Sequence, residues 1–124
     1  MTPFAIGAVA SLAMLQASIA GPRDNYADCL GKAGSQAAAQ QVAPEQYAAF
    51  ASQQCAALAE RFMAALIAFD TKNGIKRARA AEDAQLQVED YLAMSVEKYT
   101  ARAPKKPAQP PQPVQAAAPA QPQE

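Results

Sequence analysis

The chain has no histidine and no tryptophan, and neither charge is in excess, with 11 Lys and Arg against 11 Asp and Glu over 124 residues. Each shortage removes a class of function. Without histidine the commonest metal ligand and the commonest general base are missing. A serine nucleophile would have nothing to activate it, and there is no Gly-X-Ser-X-Gly elbow to present one. Zero net charge lacks the basic surface that phosphate contacts require, so no nucleic-acid partner is expected. The five glycines form no phosphate-binding loop. Outside the first twenty positions no alternating run of β-branched residues predicts a strand. Large aliphatics are scarce too: Leu, Ile, Val and Phe fill only 13 of the 83 positions from Gly21 to Ala103. The 51% hydrophobic content therefore leans on alanine, which buries little area. No catalytic residue, cofactor or metal is predicted.

What is present begins with an address. Residues 1–20 carry no charged side chain and run through Phe4, Ile6, Val9, Leu12, Met14, Leu15 and Ile19 to Ser18-Ile19-Ala20-Gly21, with small residues where a signal peptidase reads. Cleavage near Ala20 and a periplasmic or secreted location are the expectation. The alternative is that residues 3–20 stay in place as an inner-membrane anchor, the only route by which a membrane would become a partner. Gly21 stands where a lipid-modified cysteine would be needed. At the other end, residues 104–124 hold seven prolines among Ala, Gln and Lys105-Lys106, a composition that reads as a disordered tail.

Between these, residues 21–103 read as helical throughout. The first helix is expected after Pro22, with Asp24 or Asn25 as its cap and a stripe of Tyr26, Leu30, Ala33 and Ala37 weakened by Gly31 and Gly34. Pro44 starts the second, whose stripe is Ala51, Cys55, Leu58, Phe62, Ala65 and Phe69. Its apolar residues spread over more than one face, so it is expected in the middle, touching both partners. Asn73-Gly74 ends it, with Ile75 folding back on Phe69. A third helix runs to about Arg102 with a stripe of Ala78, Ala81, Gln85, Val88, Leu92, Val96 and Tyr99. The fold class is all-α, an up-down-up array of three helices.

Two cysteines in an exported chain imply one bridge. With the first turn near Ala43, Cys29 lies 14 residues before it and Cys55 12 after. At a rise of about 1.5 Å per residue both then sit at nearly one height on adjacent antiparallel helices. Closing that loop is worth about 3.5 kcal/mol by the chain-entropy estimate, and a core this thin needs a staple. A redox role for Cys29 and Cys55 is the alternative, although reactive pairs are usually close-spaced. Two thiolates without histidine leave a zinc site half empty.

The run Tyr26-Ala27-Asp28-Cys29, followed by the Pro44-Glu45 helix start and by Cys55, resembles a group of small exported helical proteins from alanine-rich proteobacterial genomes that share a Tyr-X-X-Cys helix and one later cysteine. The resemblance covers about Tyr26 to Leu58. It implies an envelope location and assigns no functional residue.

Two features of the third helix point outward. Lys76, Arg77 and Arg79 form a basic knot at its start, where positive charge opposes the helix dipole; it suits an anionic head group or glycan, unless Asp70, Glu82 and Asp83 neutralise it. Leu86, Tyr91 and Met94 fall off the stripe and make a candidate interaction surface. The paired acids Glu82-Asp83 and Glu89-Asp90 alternate with cations and read as a solvated face. Among the tyrosines, Tyr26 and Tyr99 are expected in the core. The function expected is binding or scaffolding without catalysis, for an unidentified protein or envelope partner. The thin alanine interior favours self-association.

Overall fold

A computed structural model describes residues 9–103, with side chains placed from residue 19 onward. Three helices run up, down and up: α1 (Val9–Ala39), α2 (Pro44–Lys72) and α3 (Arg77–Arg102). No strand is present among the described residues. Helix α2 packs extensively on both neighbours, whereas α1 and α3 meet over a much smaller area. The middle position expected for α2 is thus its actual one. The proline-rich segment 104–124, read as a disordered tail, lies outside the described residues.

The start of α1 differs from expectation. The helix does not begin after Pro22; it runs unbroken from Val9, with Gly21 and Pro22 in its interior, so Asp24 and Asn25 are mid-helix residues and cap nothing. Proline forfeits one backbone hydrogen bond there.

Both connections are built to one plan. After α2, the Gly74 N–H donates to the Thr71 carbonyl at 3.2 Å and the Ile75 N–H to the Asp70 carbonyl at 3.0 Å, with Gly74 at φ +89°. After α1, the Gln41 N–H donates to Ala38 at 3.2 Å and the Val42 N–H to Ala37 at 2.9 Å, with Gln41 at φ +55°. Each is a Schellman stop, in which a left-handed residue turns two N–H groups back onto the last free carbonyls. At the first, Val42 packs against the core as such a stop favours. At the second, Ile75 stays 43% exposed, outside the core.

The core consists of Tyr26, Leu30, Ala33 and Ala37 from α1, Tyr47, Ala51, Cys55, Phe62 and Leu66 from α2, and Ala80, Ala84 and Tyr99 from α3. The stripe of α1 is as expected. In α2, Ala65 and Phe69 are only half-buried, and Leu66 with Tyr47 takes the interior. In α3 the expected register fails at the N-terminal end: Ala78 and Gln85 are exposed, and Ala80 and Ala84 are buried instead. With alanine at 78, 80, 81 and 84, hydropathy cannot say which of them faces inward. Gln85 instead donates to Glu89 on the surface at 2.9 Å.

Alanine interiors let the helices approach closely, and aromatic rings fill the rest. The rings of Tyr47 and Tyr99 stack with centroids 4.1 Å apart. Phe62 meets Tyr91 edge-on at 5.5 Å and Tyr26 at 6.1 Å. The Tyr26 hydroxyl donates to the Val88 carbonyl, one of the few direct ties between α1 and α3. Tyr47, fully buried at the centre, donates to or accepts from Ser95 Oγ at 2.7 Å and lies 3.3 Å from the Leu30 carbonyl. One hydroxyl therefore links all three helices. Among the described residues no buried side-chain polar atom lacks a partner.

Candidate functional site

Cys29 and Cys55 form a disulfide with Cα atoms 5.9 Å apart, pinning α1 to α2. Cys55 is buried at 1% exposure and Cys29 is half-buried at the edge of the α1 stripe. The counting argument holds because the first turn centres on Gln40–Ala43, where the sequence places it. A bridge of this kind is inert structurally unless a thiolate can reach Cys29 from outside.

The six residues singled out on α3 fall into separate groups. Lys76 is the N-cap residue of α3 and Arg77 its first residue; both are exposed. Arg79 is engaged: its guanidinium lies 3.1 Å from Asp83 and 3.7 Å from Glu82, which account for two of the three acids expected to neutralise the knot. Such exposed pairs contribute only a few tenths of a kcal/mol each, about 0.3–0.5. Leu86, 58% exposed, and Met94, 47% exposed, lie on the outer surface. Tyr91 differs from both. It is half-buried, its ring against Phe62 and 6.3 Å from Tyr26, and it borders the shallow concavity that Gln87, Asp90, Met94 and Glu97 also line. Its off-stripe position reflects the register of α3, which turns residue 91 toward the α1–α2 seam.

The electrostatics are quiet. Burial pushes the Tyr26 phenol above its ordinary value of 10.0. Among the described residues no cluster of Cys, Asp and Glu is arranged to hold a metal ion, and no helix is long and apolar enough to cross a membrane. A second shallow concavity, along α1, is bordered by Ala27, Asp28, Gly31, Lys32, Ser35 and Gln36 and has no deep floor. Neither concavity encloses a reacting centre.

Sequence reasoning missed two residues. Tyr47 lies near the start of α2, outside the stripe that begins at Ala51, and its three-helix role depends on tertiary register. The turn motif gives Ile75 a contact with Phe69 but not its degree of exposure, and at 43% exposure a large aliphatic side chain stands beside Lys76 and Arg77. Comparison with protein families, curated proteins and solved structures gives no match.

Proposed function

We propose that this chain is an exported, non-enzymatic helical protein of the bacterial envelope that works by binding or scaffolding, with residues 1–20 removed as a signal peptide. The observation that carries the reading is the Cys29–Cys55 bridge, because such bonds persist in oxidising compartments. It is joined by the uncharged leader with small residues at its end. The binding surface is the outer side of α3, where Leu86 and Met94 stand exposed and Met94 shares a shallow concavity with Tyr91, with Lys76, Arg77 and Arg79 at its start.

Intact mass of the protein from its native host, alkylated without reduction, tests this. An N-terminus at Gly21 and no alkylated cysteine is the expected outcome. A retained Met1 or two labelled thiols removes it. Retention of residues 3–20 as a tether has one observation in its favour, the unbroken course of α1 from Val9 across position 21. The same mass spectrum decides between the two.

A further inference from the structure

The α2–α3 turn gathers charge that the rest of the molecule leaves unpaired. Gly74 turns the chain, and Ile75, 43% exposed, projects next to it. Lys72, Lys76 and Arg77 flank it, all exposed, and among the described residues none of the three has an ion-pair partner. Lys76 and Arg77 stand at the positive end of the α3 dipole, with no acid in the first turn and no side-chain cap. Positive charge there is unfavourable in the isolated protein. Residues 72–77 hold three cations and no acid, so in a neutral chain the remainder carries eight cations against eleven acids. Asp70, Glu82 and Asp83 lie on either side, but Glu82 and Asp83 are held by Arg79, and among the described residues none of the three acids pairs with Lys72, Lys76 or Arg77.

The disulfide also fixes where the tip lies. Lys72 is 17 residues beyond Cys55, and the position 17 before Cys29 is residue 12 of α1. The turn thus sits at the end of the array from which α1 enters. If α1 begins at Gly21, the α2–α3 tip projects about 13 Å past it.

We infer that this tip docks on the surface of an anionic phospholipid bilayer, Lys72, Lys76 and Arg77 meeting lipid phosphates and Ile75 entering the boundary between head groups and acyl chains. A branched aliphatic side chain among cations fits that boundary, where apolar burial and charge attraction add. A soluble polyanion would match the cations and leave Ile75 without a use. This reading rests on the geometry of the turn and, unlike the expectation that a membrane becomes a partner only through a retained leader, stands whether or not residues 1–20 are cleaved.

The chain has no tryptophan, so Ile75→Trp gives a single emission reporter. Full-length oxidised protein carrying it is titrated with vesicles of phosphatidylglycerol and phosphatidylcholine, and with phosphatidylcholine alone. A blue shift with the anionic vesicles only is expected. Co-sedimentation of the Lys76→Ser/Arg77→Ser variant should show about 30-fold weaker binding, at roughly fivefold per cation near an anionic surface. Ile75→Ser should weaken it as well, with circular dichroism unchanged in both variants. Equal shifts with both vesicle types, or binding that neither substitution moves, overturns the inference and assigns membrane affinity to the leader. Loss with the cation variant but none with Ile75→Ser and no blue shift overturns it too, in favour of a soluble polyanion.

Discussion

Removing one oxygen from Tyr47 tests whether its hydroxyl ties the three helices together. In Tyr47→Phe the ring remains, so its stack on Tyr99 at 4.1 Å and its burial are retained. What is lost is the 2.7 Å bond with Ser95 Oγ and the 3.3 Å contact with the Leu30 carbonyl. The Leu30 carbonyl still has a place in the α1 ladder, and Ser95 is half-buried and can reach water, so neither group is fully stranded. The cost is then that of one buried hydrogen bond, about 1–1.5 kcal/mol. In a domain of this size that is a fall in melting temperature of roughly 4–8 °C per kcal/mol. Ser95→Ala removes the same bond but gains helix propensity, so it should cost less than Tyr47→Phe. Thermal and urea unfolding of the two single variants and the double variant closes a cycle, with a coupling of about 0.5–1.5 kcal/mol expected. Strict additivity of the two, or a Tyr47→Phe protein as stable as the parent, refutes the tie.

Replacing both cysteines by alanine should lower stability by about 3.5 kcal/mol, measured by urea unfolding against the oxidised parent; a change under about 1 kcal/mol would mean that α1 and α2 hold their register unaided. Gly31→Ala should stabilise by up to about 1 kcal/mol, because a Cβ there meets nothing within 4 Å, while Gly34→Ala should gain less, its Cβ arriving 3.4 Å from the Tyr47 hydroxyl. Gln41→Gly should raise the melting temperature, since the residue sits at φ +55° where a side chain costs about 1–2 kcal/mol and glycine's greater unfolded-state freedom returns only part of it. The raised Tyr26 phenol sets an alkaline limb: stability is whole below the unfolded value near 10.0 and falls as pH rises from there through the folded value, because the unfolded chain releases a proton that the folded one keeps. Denaturant titrations from about pH 9 to 11 should show that fall, and Tyr26→Phe should flatten it.

Much of the fold is legible where one residue type has one physical use. Pro44 marks the start of α2 because its fixed φ suits the first helical turn, and Gly74 marks the end because glycine takes positive φ at little cost. The pairing of Cys29 with Cys55 follows from counting residues on either side of a turn. Alanine defeats the same logic in α3: a methyl group is at home inside or outside, and the choice of Ala80 over Ala78 is made by tertiary packing. The turn at Gln41 goes unmarked because no glycine announces its left-handed residue. Of the candidate surface, Leu86 and Met94 could be read as exposed, whereas Tyr91 is claimed by Phe62 and Tyr26, partners remote in sequence. The exposure of Ile75 depends on how far a turn projects, which no local pattern encodes.

The central place of α2 also governs how the fold is assembled. Nearly all packing joins helices that are consecutive along the chain, and the two cysteines belong to the same hairpin, 26 positions apart. Short-range wiring of this sort is associated with folding in microseconds to milliseconds. The α1–α2 hairpin holds both cysteines and most of the buried side chains, so once the cysteines are oxidised it can close without α3. Helix α3 then adds to a pinned template.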